Sequence, residues 1–114
     1  MSERSDADLA DDIREASRRI AAYLGDLTYT DFLADTKTQD SVIRNLEIVG
    51  EAARRVSNDL RARTPGLPWK SMADMRNRLI HGYFGVDLDV VWKVARDELP
   101  GVVVQLPFGP DGRK

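Results

Sequence analysis

The residues of this chain best equipped for chemistry stand together in Arg76-Asn77-Arg78-Leu79-Ile80-His81-Gly82-Tyr83-Phe84. His81 is the only histidine in the protein, and an imidazole titrating near pH ~6.5 carries protons readily at neutral pH. Arg76 and Arg78 lie five and three residues before it, and Tyr83 two residues after. Such a set suits an anionic substrate. A guanidinium can grip a phosphate through its planar fork of donors, the imidazole can move a proton, and the phenol can offer a hydroxyl or a stacking face. A lone histidine near a helix end also serves as a cap or a solvated surface group, so residue types alone leave both readings open.

Helical geometry narrows the choice. At about 3.6 residues per turn Asn77 and His81 share a face, so the amide can orient the imidazole. Arg76 lies ~140° around the axis from His81, whereas Arg76 and Tyr83 nearly coincide if the helix continues through Gly82. One regular helix therefore does not aim Arg76 and His81 at the same atom. Either the helix unwinds at Gly82, or a second copy of the chain completes the site; the second is favoured, with the first contributing.

The elements that must hold these residues can be read from hydrophobic spacing. Leu9, Ile13, Ala16, Ile20 and Leu24 step by three or four and predict a first helix over 7–24, capped by Ser5 or Asp6 and stopped by Gly25. A one- or two-turn helix with Thr30 as its cap follows, with Tyr29 and Phe32 as core. Val42, Leu46, Val49, Ala53, Val56 and Leu60 then form the seam of one long helix from about Thr38 to just before Pro65, with Ile43 widening the buried face. Gly50 inside it costs about 1 kcal/mol relative to alanine, which argues for a close backbone approach there. Glu47 and Glu51 share a face of this helix, and one of them can pair with Arg76 and fix its guanidinium; solvent exposure is the plainer alternative for both. Arg44, Arg54 and Arg55 are surface groups or part of a cleft rim.

Thr64-Pro65-Gly66-Leu67-Pro68 is a turn, with Trp69 packing at the start of the motif helix, which spans about 68–82. That helix turns Met72, Met75 and Leu79 inward and leaves Asn77, Arg78 and His81 off the apolar stripe. Asp87 caps a further helix ending at Pro100-Gly101; Val102–Leu106 fits either a short helix or an extended segment, and 107–114 is expected to be disordered. The chain thus divides into a flexible N-terminus (1–6), a helical domain (7–100) and a C-terminal tail (101–114).

Composition bounds the chemistry further. A chain of 114 residues builds one core, and its net charge of -2, from 17 Lys and Arg against 19 Asp and Glu, is not that of a globally basic nucleic-acid coat. Any RNA contact must be a local patch. With no cysteine and one histidine, thiolate and His-rich metal sites within one chain are excluded, and no metal or other cofactor is expected. The polar, acidic first residues and the lack of an apolar run near ~20 residues fit a cytoplasmic protein without a membrane span.

The string RNRLIHGYFGVD resembles the signature of the HepT-like toxin family of the HEPN superfamily: Arg, four residues, His, one residue, Tyr. Arg76, His81 and Tyr83 fill those places, and Asn77 fills the polar position that commonly follows the arginine. Ser41 to Ala52 is similar to the family's long central helix, and Leu67-Pro68-Trp69-Lys70 to its lead-in to the motif; the likeness covers roughly residues 8 to 100. It implies an all-α, up-down bundle of four to five helices that forms a homodimer, with the motif helices of two protomers lining a shared cleft. It further implies a metal-independent endoribonuclease, the toxin of a type VII-like toxin–antitoxin system acting on tRNA or mRNA. In that reading Arg76, His81 and Asn77 are catalytic, Tyr83 positions substrate, and Glu47, Glu51 and Arg78 give support. The implied partner is a cognate MNT-type nucleotidyltransferase antitoxin that transfers AMP to Tyr83, in a dimer or a higher oligomer. The competing class is a non-catalytic helical module that binds a nucleotide or serves a nucleotidyltransferase.

Overall fold

A computed structural model of the chain describes residues 4–80 and 85–109. All regular structure among them is helical: α1 (Asp6–Leu24), α2 (Tyr29–Leu33), α3 (Thr36–Arg55), α4 (Asn58–Arg63), α5 (Trp69–Ile80), α6 (Leu88–Lys93), a π-helical segment (Val94–Glu98) and α7 (Leu99–Val104).

α1 begins in a capping box, in which the Ser5 hydroxyl accepts from the Asp8 N–H and the Asp8 carboxylate accepts from the Ser5 N–H. Its predicted stripe, Leu9, Ile13, Ala16, Ile20 and Leu24, is buried throughout. Each fully buried leucine or isoleucine stabilises the fold by about 1.5–3 kcal/mol relative to exposure, so the stripe fixes which way α1 faces. Gly25 ends the helix with a φ of 47°, in the left-handed range that favours glycine. The cap of α2 is Thr28 rather than the expected Thr30, because Asp31 three residues on completes a capping box with Thr28.

α3 is the central rod, packed between α1 and α5. It starts earlier than expected, at Thr36 behind the Asp35 cap, and is not continuous to Pro65. The chain turns extended at Val56, and Ser57 then caps a separate α4 by accepting from the Leu60 N–H. The Asp6 carboxylate takes both the N–H and the hydroxyl of Ser57, which stabilises the break. This contact joins the C-terminal end of α3 to the first residue of α1, so the two helices run antiparallel. Val56 and Leu60 remain buried, and the apolar seam survives an interruption that its spacing could not reveal.

Trp69 packs where α5 begins and donates from Nε1 to the Thr64 hydroxyl at 2.9 Å. Met72 and Met75 are buried beneath α5, as the stripe predicts. The next rod starts at its expected cap, Asp87, but Pro100-Gly101 does not end it. Pro100 lies in the first turn of α7, where a missing N–H costs least, directly after the π segment has reset the ladder. Trp92 packs its ring against Tyr29 and Phe32, centroids 5.7 and 5.3 Å away, under the Arg96 guanidinium. Arg96 in turn donates to the Gly25 and Leu27 carbonyls, tying this rod to the α1–α2 turn. Beyond α7, Leu106 is buried, and Arg14 donates to the carbonyls of Pro107, Phe108 and Gly109. Residues 107–109 are therefore held against α1 rather than disordered.

Candidate functional site

The site begins at Gly50. A Cβ built there would fall 2.2 Å from the Arg76 Cβ and 2.8 Å from the Met72 carbonyl oxygen, distances that no side chain tolerates. Glycine is thus required where α5 presses on α3, and the contact lies at Arg76 itself. The close approach inferred from the cost of a mid-helix glycine is present, and it sets the root of the arginine against the central rod.

From that root the guanidinium reaches over α3. Its Nε stands 3.5 Å from Glu51 Oε1, and its Nη1 donates to Asn77 Oδ1 at 3.1 Å. Glu51 accepts its better hydrogen bonds from Arg54, at 3.1 and 2.8 Å. Those bonds, and the charge of Arg76 after them, hold the Glu51 carboxyl below the usual range, against the opposing effect of its partial burial. Glu51, charged at neutral pH, sets the direction of the Arg76 guanidinium through the 3.5 Å contact. Nη2 of Arg76 has no hydrogen-bond partner among the described residues.

Of the two candidate carboxylates, Glu51 is the one that contacts Arg76. Glu47 faces Arg44 at 3.7 Å. Both acids nevertheless line one cleft of about 220 Å³ with Arg76, Arg44, Arg55 and Ile80. Arg44 and Arg55 are thus at a cleft rim. Asp12 and Ile48 also line it, and their places could not be foreseen, since the facing of α1 against α3 decides them.

Arg78 is not brought to this cleft. It lies 200° around α5 from Arg76 and lines two apolar clefts on the other side, beside Met75 in both. Asn77 is exposed, and its amide oxygen is engaged by Arg76. Its expected role on the imidazole, and the placement of His81 and Tyr83, lie outside the described residues. α5 is described as far as Ile80, so the arginine of the motif is positioned, and the next residue in the chain is His81.

The ribonuclease HepT-like family model matches residues 13–106. The chain belongs to the ribonuclease HepT-like family. It is 46% identical over 99 residues to a probable ribonuclease HepT of Thermococcus cleftensis, an alignment covering 87% of this chain and 90% of that protein. It is 38% identical over 102 residues to Putative RNase MJ1380 of Methanocaldococcus jannaschii, covering 90% of this chain and 94% of the relative. A relative from Caldanaerobacter subterraneus subsp. tengcongensis, Putative RNase TTE0752, is 35% identical over 80 residues, with 70% of this chain and 71% of that one covered. No solved structure matches the chain. The described residues form an all-helical fold, as expected for a HepT-like chain, with α3 as the long central rod and α5 as the helix that carries Arg76. No helix among the described residues is long and apolar enough to cross a membrane.

Proposed function

We propose that this HepT-like protein is a metal-independent endoribonuclease, the toxin half of a type VII-like toxin–antitoxin pair. The observation that carries the reading is the Gly50–Arg76 contact. It places a guanidinium whose Nη2 has no partner among the described residues at a cleft rim, five residues before the chain's only imidazole.

RNA supplies its own nucleophile. Removal of the 2'-hydroxyl proton lets that oxygen attack the adjacent phosphorus, and the bond from phosphorus to the 5'-oxygen breaks as that oxygen is protonated. The products are a 2',3'-cyclic phosphate and a 5'-hydroxyl. His81 moves the protons, Arg76 stabilises the charge of the phosphorane, Asn77 holds Arg76 and orients the site, and Tyr83 positions the strand. Two protomers facing each other across α5 supply a base and an acid from the same residue, His81. Family membership and the angular offset of Arg76 from His81 support this paired arrangement. A nucleotidyltransferase antitoxin would neutralise the toxin by transferring AMP to Tyr83, since added phosphate beside Arg76 occupies the place meant for RNA.

Purified protein incubated with RNA in EDTA tests the reading, with His81→Ala as control. Cleavage by the wild type, lost in His81→Ala and leaving cyclic phosphate ends, is the expected result. Activity undiminished in the variant would mean a contaminating nuclease. No cleavage by unmodified protein would favour a non-catalytic nucleotide-binding module, since an acidic chain lacks the basic steering from which a ribonuclease gains.

A further inference from the structure

Asn45 is a buried polar residue, 5% exposed, in a core otherwise made of apolar side chains among the described residues. Its amide nitrogen donates to the Ser41 carbonyl at 2.9 Å, but its Oδ1 has no partner among the described residues. A buried acceptor left without a donor is a standing cost to the fold, so its retention needs a reason. The surroundings supply one. Asn45 lines two adjoining clefts between α1 and α3, of about 470 and 210 Å³. Arg19 and Ile48 line both as well. Arg44 and Ile48 also line the cleft of Arg76, so a row of adjoining clefts, here the groove, follows α3 from Arg76 to Asn45. Tyr23, 41% exposed, stands at its far end.

We propose that this groove holds the nucleotide next to the cleaved linkage and selects its base. The inference rests on the ribonuclease reading above and adds a specificity site to it. Asn45 lies five residues before Gly50, which is ~7.5 Å along the helix axis from the point where Arg76 meets α3. That separation suits a neighbouring nucleotide. The terminal torsion of asparagine is soft, so rotating the amide, at the cost of its bond to the Ser41 carbonyl, turns Oδ1 from the helix interface into the groove, where it accepts an N–H from the base edge. Tyr23 offers a face on which the base can stack. Arg44, its side chain 71% exposed and only 3.7 Å from Glu47, can swing to the flanking phosphate.

The charge of the groove favours base recognition over backbone tracking. Glu15 occupies Arg19 at 3.0 Å, and Asp12, Asp40 and Glu47 line the same strip. Acceptors crowd it and free cations are few, which suits a base edge rich in N–H donors and disfavours a run of phosphates.

The test is cleavage by the full chain of short RNAs that carry A, C, G or U at each position flanking the cut. Wild type is expected to prefer one base at one flanking position by roughly tenfold or more. Asn45→Leu should lose most of that preference while melting at the same or a higher temperature, because an orphaned acceptor is gone. Tyr23→Ala, a surface change that spares the core, should raise KM more than it lowers kcat. A wild type indifferent to the flanking base, or a preference unchanged in Asn45→Leu, would overturn the proposal. If wild type cuts no RNA, the nuclease reading fails separately. Binding of 2'-deoxy strands of the same sequences then decides the groove: affinity lost in Asn45→Leu and Tyr23→Ala upholds it, and affinity absent or unchanged rejects it.

Discussion

Two arginines of this protein occupy opposite circumstances. Arg14, on α1, is engaged through both terminal nitrogens: it pairs with Asp11 at 2.9 Å and donates to the carbonyls of 107–109, holding that segment against the bundle. Arg76, on α5, is rooted by Gly50, yet among the described residues its guanidinium has a 3.5 Å contact to a carboxylate that Arg54 already holds, and one hydrogen bond to its neighbour Asn77. The difference teaches what distinguishes a structural cation from a functional one. A guanidinium with both terminal nitrogens engaged holds the fold together; one whose backbone is fixed and whose Nη2 has no partner among the described residues is the better candidate for a ligand.

The largest expected effect separates the two directly. Arg76→Ala should slow RNA cleavage on the order of 10³-fold, the scale of losing a donor aimed at transition-state charge. Because its ion pair is long and partly exposed, the same change should alter stability by less than about 1 kcal/mol. Single-turnover kinetics and denaturant melts on one preparation measure both. Gly50→Ala should act on the root instead. The added methyl overlaps the Arg76 Cβ, and chemical denaturation should show a loss of about 3 kcal/mol as α5 is forced off α3, with cleavage falling in step. Arg14→Ala should cost about 2 kcal/mol through the freed carbonyls, while cleavage per folded molecule stays at the wild-type level. A catalytic defect in Arg14→Ala without unfolding would erase the distinction.

Smaller effects concern protons. Glu51 has a depressed pKa and remains charged through neutral pH, so its pairing with Arg76 does not titrate between pH ~5 and 8. Glu51→Gln should lower the cleavage rate modestly and leave the midpoint of the pH–rate profile in place. A displaced midpoint would mean that Glu51 itself carries the titration. The least effect belongs to Glu15, whose carboxyl is held down to about 2 by hydrogen bonds from Arg18 and then Arg19, against an ordinary 4.5. Since the folded value is the lower one, its stabilising contribution is complete above pH 4.5 and lost as pH falls toward 2. Glu15→Gln should flatten the acid limb of stability in that window alone.

What could be read from the sequence follows the same division between local and long-range causes. Apolar spacing located α1, α3 and α5 and their buried faces, because burial acts at the period of the helix itself. The energetic cost of Gly50 pointed to the close contact that now defines the site. The break at Ser57 was invisible, since it depends on Asp6, distant in sequence. So was passage of the last rod through Pro100, where the π segment alters the register that makes proline a stop. Arg78 looked equivalent to Arg76 in composition, and only the packing of α5 on α3 separates them. Asn45 gave no signal, because an amide in a helix attracts notice only when its oxygen is found without a donor.

The central claim is that Arg76 of one protomer and His81 of another act on one phosphate. The most direct measurement takes Arg76→Ala and His81→Ala proteins, each inactive alone, and coexpresses them so that mixed dimers form. Paired action predicts that the mixture cleaves faster than either parent, though below wild type, because the shared cleft of each mixed dimer unites one intact arginine with one intact histidine while lacking the second imidazole for the other proton transfer. A mixture that forms dimers yet stays as inactive as either parent would contradict it.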